Sequence, residues 1–342
     1  MKYNLNPRVI FELDDPNYGY GDSILFYYPL FFLSQKYNVN VLTHNSRIIQ
    51  FLKLFKKSID FDLIKSRDFY SNDLIRIINP IYFNINRFFR PLPEHAIFLM
   101  LDYVDPYFNG YLKKDFKSLI LPELDICSSI FDRVYSKIVK NLKYPIILVS
   151  LVDSNYLKML SDSKYYSIVD ELLKIGTVVY LGDTIRFPDR IHPKAINLIG
   201  KTSLAETLAL IKFADLVFCG DTFVQHAAAL MKTPAVVYFC GTTPMDFGYP
   251  FFSNIFNPEL VPCQLKCSYF TGAVNCDLSN SKCEMPVAGY GNLCSFKACE
   301  SYITPNLVSV LCEKELSIDY NNRDWTFYSL RVTNFNIRQY LF

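Results

Sequence analysis

The stretch Ala214-Asp-Leu-Val-Phe-Cys-Gly-Asp-Thr-Phe-Val-Gln-His-Ala-Ala-Ala-Leu230 decides how this chain is read. Asp215 to Cys219 is an apolar run of the length of a buried strand, and Gly220-Asp-Thr222 is a tight polar turn. Thr222 to Met231 has the composition of a helix. Strand, turn and helix in this order form half of a βαβ unit. Ala227, Ala228 and Ala229 let the helix lie close to a sheet, and its first-turn amides make an anion site suited to phosphate. Asp221 either caps this helix or faces a ligand, and His226 reads first as a satisfied helix histidine.

Working outward, Ala235 to Cys240 is a further strand, and it ends in Gly241-Thr242-Thr243-Pro244, a loop with small hydroxyl residues. Upstream, Ser203-Leu-Ala-Glu206 is a capping box that opens a helix running to Phe213. Strands are expected at Ala195 to Ile199, Thr177 to Leu181 and the continuous apolar run Ile146 to Val152, with a helix at Tyr166 to Ile175. This α/β series begins after Lys143-Tyr-Pro145. An earlier series precedes it: strands at Arg8 to Leu13, Val39 to Leu42, Phe61 to Ile64 and His95 to Leu101, and helices at Asp22 to Tyr37, Ser46 to Phe55 and Ser129 to Leu142. Gly19-Tyr-Gly21-Asp22-Ser23 lies where the first strand gives way to its helix, the end at which parallel sheets bind ligands. Its glycines allow close backbone approach, and Asp22 is either a helix N-cap or a general base.

The chain has 342 residues, room for two domains at roughly 150 residues each. With 51% hydrophobic and 20% charged residues it has enough apolar surface to fold throughout. A net charge of +2 supplies no field for nucleic acid or acidic membrane, so no nucleic-acid partner is expected. The longest apolar run, Ile24 to Leu33, is broken by Pro29 and falls short of the ~18 residues of a membrane span. Glu12, Asp14 and Asp15 stand where a signal peptide would need an apolar core, so a cytoplasmic protein is expected. Six of the ten cysteines, Cys263, Cys267, Cys276, Cys283, Cys294 and Cys299, crowd into one irregular segment, which in such a compartment favours a metal site over disulfides.

The motifs together resemble the glycosyltransferase family 9 heptosyltransferases. The matching runs are Ile199-Gly-Lys-Thr-Ser-Leu-Ala-Glu206, Ala214 to Leu230, and Thr233-Pro-Ala-Val-Val-Tyr-Phe-Cys-Gly-Thr-Thr-Pro244. Gly21-Asp22-Ser-Ile-Leu with Pro29-Leu30, and Cys299-Glu-Ser-Tyr-Ile-Thr-Pro-Asn-Leu-Val308, extend the match; residues 56 to 140 carry none. The resemblance implies a GT-B architecture, an α/β chain of two Rossmann-like domains facing a cleft. The expected division is 1–142 for the acceptor side, 143–256 for the nucleotide-sugar side, 257–303 for a Cys-rich module and 304–342 for a segment packing back on the body.

It also implies an inverting transfer of a sugar from a nucleotide-sugar donor, ADP-heptose by analogy, to a glycan or protein hydroxyl, with no catalytic divalent metal. Asp22 would be the base, Asp221 and Thr222 would meet the donor sugar and phosphates, and Thr202 would sit beside the nucleotide base. Gln225, His226, Gly241, Thr242 and Thr243 complete the donor side. Ser150, Ser154, Lys158 and Lys164 are the candidates for the diphosphate, one of the two lysines being the cation. Phe223 replaces the glycine of the family's Asp-Thr-Gly, which leaves the donor sugar or its pose open. The cysteine segment resembles the finger of the bacterial autotransporter heptosyltransferases, implying structural iron or zinc on Cys263, Cys267 and Cys299 with a fourth ligand at Cys283, Cys276 or Cys294. A homo-oligomer is compatible with this reading. A nucleotide-sugar epimerase or hydrolase of the same fold, and a non-catalytic GT-B-like binding protein, are its alternatives.

Overall fold

The computed structural model describes residues 8–13, 20–34, 38–54, 61–64, 74–78, 119–120, 126–150, 158–182, 191–240, 242–256, 300 and 302–327, with backbone alone for 61–64, 74–78, 119–120 and a few positions inside other elements, Asp22 among them. The cysteine segment, the strand expected at His95 to Leu101, Gly19, Ser154 and Gly241 lie outside the described residues.

The first half contains strand β1 (Arg8–Glu12), helix α1 (Tyr20–Ser34), β2 (Asn38–Leu42), α2 (Ser46–Lys53), β3 (Phe61–Ile64) and β4 (Leu74–Ile78). These strands form a parallel sheet in the order β3-β2-β1-β4. A short strand β5 (Leu119–Ile120) and helix α3 (Ser128–Lys137) lead to the second half. There β6 (Ile146–Ser150), α4 (Asp162–Ile175), β7 (Thr177–Leu181), β8 (Ile196–Asn197), α5 (Leu204–Phe213), β9 (Leu216–Gly220), α6 (Phe223–Met231), β10 (Ala235–Tyr238), α7 (Pro244–Phe247) and β11 (Ser253–Ile255) follow in turn. The second sheet runs β11-β10-β9-β6-β7-β8, all parallel. Counted within its own half, this is the 3-2-1-4-5-6 order of a dinucleotide-type fold, and the first sheet is its 3-2-1-4 portion.

Period-two alternation explains why these strands read as unbroken apolar runs. Ile146 and Leu148 of β6 face one core and Ile147 and Val149 the other, and Val217 with Cys219 and Leu216 with Phe218 divide in the same way on β9. Behind one face lie α4 and α8 (Pro305–Ser317), whose N-cap Thr304 accepts from Leu307 N and whose first residue is Pro305. On the other face the core is continuous with that of the first half. It joins Val9 and Phe11 of β1 and the residues of α1 to Ala227, Ala228 and Ala229 of α6. Helix α1 is buried at Ile24, Leu25, Phe26, Tyr27, Tyr28, Leu30 and Leu33, without a solvent stripe, because it packs on its own sheet side and on α6.

Residues 323–327 pack on the body. Arg323 pairs with buried Glu315 and donates to the Phe251 carbonyl, Trp325 meets Phe251 edge-on, and β12 (Thr326–Phe327) pairs antiparallel with β5. Helix α1 starts at Tyr20, two residues earlier than expected, so Asp22 stands inside the first turn and is not its N-cap. Strands β4 and β11 are additions that the sequence reading does not contain.

Candidate functional site

In such sheets the ligand crevice opens where strand order reverses, at the carboxyl ends of the two central strands. In the second half these are β6 and β9, which end at Ser150 and Gly220. Ser150 is buried there. Directly after Gly220, Asp221 is buried too, and Thr222 rather than Asp221 caps α6, its hydroxyl accepting from Val224 N at 3.2 Å.

With the capping role taken by Thr222, the Asp221 carboxylate is turned to other groups. Lys158 Nζ donates to Asp221 Oδ2 at 2.9 Å and to the Asp221 carbonyl at 3.2 Å. Thr242 Oγ1 donates to the same Oδ2 at 2.8 Å, and His226 Nε2 stands 3.9 Å from Oδ1. Burial would raise the Asp221 carboxyl, but the Lys158 ammonium, the His226 ring and the two hydrogen bonds outweigh it and hold it below its ordinary value. His226 is lowered too, with burial as the cause: it drives the ring down to about 4 despite the nearby Asp221, so the ring is neutral at pH 7. Its Nδ1 shares a hydrogen bond with the Tyr249 hydroxyl at 2.9 Å, which makes it the satisfied histidine the sequence suggests.

Around this cluster stand aromatic rings. Lys158 Nζ lies 5.5 Å from the centroid of Phe247, and His226 meets Phe247 and Tyr249 edge-on. Gln225 donates through Nε2 to the Phe247 carbonyl, fixing α7 against α6. Thr243 caps the short α7 by position and donates to Asp246 Oδ2 at 3.0 Å. Phe247 and Tyr249 carry no motif, and their sequence distance from Asp221 hid them, while Tyr20 stands inside the Gly19–Ser23 run without having been singled out.

The first half reaches the same place through α1. A Cβ added to Gly21 would lie 3.5 Å from the His226 ring and 3.7 Å from the Phe223 backbone nitrogen, so the first turns of α1 and α6 touch. Asp22 is the next residue of that turn. The aromatic ring of Tyr20 packs on Phe223 with centroids 5.7 Å apart.

Lys158, Asp221, Thr222, Thr242, Gln225 and His226 are thus gathered at one spot with Gly21. Lys164 is directed elsewhere: it donates to the Glu300 carbonyl, while Glu300 Oε2 accepts from Ser161 N at 2.8 Å. Thr202 hydrogen-bonds Thr207 at 2.8 Å in the turn before α5, beside the capping box of Ser203 and Glu206. Among the described residues no group of three or more His, Cys, Asp or Glu side chains is placed to hold a metal, and no helix is long and apolar enough to cross a membrane.

Residues 185–258 match the model of glycosyltransferase family 9 (heptosyltransferase), which bears out the resemblance read from the motifs. No curated protein matches the chain. Among solved structures, the chain is similar to the dodecameric iron-containing heptosyltransferase TibC of enterotoxigenic E. coli H10407, described in complex with ADP-D-beta-D-heptose. That likeness has a TM-score of 0.63 at 15% identity and covers 92% of this chain and 77% of that one. A glycosyl transferase family 9 protein from Veillonella parvula gives 0.58 at 13% identity over 91% and 98% of the two chains. The E. coli ADP-heptose lps heptosyltransferase II gives 0.53 at 13%, over 90% and 98%. At these identities the likeness is one of fold, and it establishes the GT-B arrangement of two parallel-sheet halves.

Proposed function

We propose that this chain is a glycosyltransferase that moves a sugar, heptose from ADP-heptose, onto a hydroxyl of a glycan or protein acceptor with inversion at the anomeric carbon. The family match supports glycosyltransferase activity, and the observation that carries the reading is the meeting of α1 and α6 at Gly21. That contact brings a carboxylate-bearing helix turn of one half against an anion-binding helix start of the other. This is the pairing an inverting displacement needs.

In the reaction, Asp22 takes the proton of the acceptor hydroxyl as its oxygen bonds to the anomeric carbon. The bond from that carbon to the diphosphate oxygen breaks, and its electron pair leaves with the nucleoside diphosphate. Lys158 and the positive end of the α6 dipole offset the charge that develops on the leaving oxygen. His226 is neutral and the Lys158 ammonium is paired with Asp221, so what the cluster offers the leaving oxygen is oriented N–H donors and not a net positive charge. Thr222 and Thr242 line the same spot, and Thr202 is assigned to the nucleotide base.

The six cysteines are assigned a structural iron or zinc, supported by their thiolate-rich composition and by the iron reported for TibC. Assembly of several copies is proposed on the same analogy, TibC being dodecameric. Asp22→Asn tests the central claim. It should abolish transfer from ADP-heptose, followed by mass spectrometry of the acceptor, while calorimetric donor binding stays within about threefold; retained turnover would remove Asp22 as the base. Elemental analysis of the purified chain tests the metal, and a content near zero per chain would refute it.

A further inference from the structure

We infer that Phe223, together with Tyr20, forms the wall that selects the donor sugar; this rests on the reading just given and adds what discriminates between donors. Phe223 is the first residue of α6, directly after the cap Thr222, and Tyr20 is the first residue of α1. Their rings are 5.7 Å apart at an interplanar angle of 56°, and both residues are half-buried. Tyr20 is fixed by its hydroxyl, which donates to Gln50 Oε1 at 2.6 Å on α2. The pair is therefore anchored in both halves and spans the seam between them.

The neighbouring polar groups are poor candidates for this task. The Asp221 side chain is only 2% exposed and is held by Lys158 and Thr242. His226 is equally enclosed and bonded to Tyr249. Phe247, the third half-buried ring, faces the Lys158 ammonium. A sugar whose diphosphate reaches the α6 start consequently meets apolar rings on its carbon skeleton. Such surfaces sense the number and placement of carbons rather than single hydroxyls, and one carbon in an apolar pocket is worth on the order of 10- to 200-fold.

The test compares kcat/KM and calorimetric Kd for ADP-heptose, ADP-mannose and ADP-glucose in the full chain and in Phe223→Gly, Phe223→Leu, Phe223→Tyr and Tyr20→Ala. The wild type should separate seven-carbon from six-carbon donors by about tenfold or more. Phe223→Gly and Tyr20→Ala should each compress that ratio at least about fivefold, Phe223→Leu partly, and Phe223→Tyr should preserve it. A ring that only supports the fold would lower all donors alike. A wild-type ratio near one, or a ratio unchanged in the folded variants while transfer persists, overturns the wall and leaves glycosyl transfer standing. A wild type that binds no nucleotide sugar overturns both.

Discussion

Lys158 Nζ lies 2.9 Å from Asp221 Oδ2 and closes the crevice end of the second sheet by holding a buried carboxylate in place. Removing only the cation leaves that carboxylate uncompensated, at a cost of about 3–5 kcal/mol for a buried pair. Lys158→Met should therefore lower the stability measured by urea unfolding by roughly that amount, and Lys158→Met with Asp221→Asn should recover most of it. A double variant no more stable than Lys158→Met would show that the pair is not the source of the loss.

The same cluster sets a pH dependence. The folded-state pKa of His226 is depressed to about 4 from an ordinary value near 6.5, so below that value the unfolded chain takes up a proton that the folded chain refuses. Stability should thus fall as pH drops from 7 toward 4, by up to about 3 kcal/mol from this one group. Denaturant titrations across that range should show the slope, and His226→Gln should flatten it. Asp221 is depressed as well, and its own contribution disappears only at still lower pH, as its carboxyl protonates.

Lys164 and Lys158 are separable. Since Lys164 donates to the Glu300 carbonyl and Glu300 accepts from Ser161 N, Lys164→Ala should change donor Kd by less than about threefold while Lys158→Ala weakens it by tenfold or more. The readout of Lys164→Ala is expected in a Tm lowered by loss of its contact with Glu300. Equal losses of donor binding in both variants would move the diphosphate toward Lys164.

Ser203 accepts from Glu206 N at 3.3 Å while Glu206 returns a bond to Ser203 N at 2.9 Å, and Glu206 also pairs with Arg133 at 3.2 Å across α3 and α5. Ser203→Ala should cost about 1 kcal/mol of stability and lower Tm by a few degrees. Ser203→Asp, which keeps an acceptor at the cap, should retain most of the wild-type Tm.

The second half was legible because β6, β7, β9 and β10 are buried on both faces, so each appears as a continuous apolar run bounded by turn residues, whereas the two-residue edge strand β8 is only half-buried. Strand β11 escaped because Ser253-Asn-Ile255 has no strand composition. It pairs with β10, and Asn254 bonds the carbonyls of Tyr249 and Phe252 at 2.9 and 3.0 Å. Strand β4 was hidden by Arg76 at its centre. At the site, Asp221 and His226 stand in a local motif and could be read, whereas Tyr249 and Phe247 are brought in by the fold and carry no local signal. The N-cap reading of Asp22 failed for a simpler reason: the helix begins at Tyr20, before the glycine that seemed to mark its start.

The core that runs unbroken from β1 through α1 into α6 has a mechanical consequence. Swinging the two halves apart about a hinge would uncover the apolar surface that α1 and α6 bury against each other, at roughly 25 cal/mol for each Å² exposed. Small sliding of α1 along α6 keeps that surface covered, so shear is the cheaper motion. Catalytic timing in this chain should then follow displacements of a fraction of a helical turn at Gly21, with substrates entering past the helix starts and not through a wide opening of the halves.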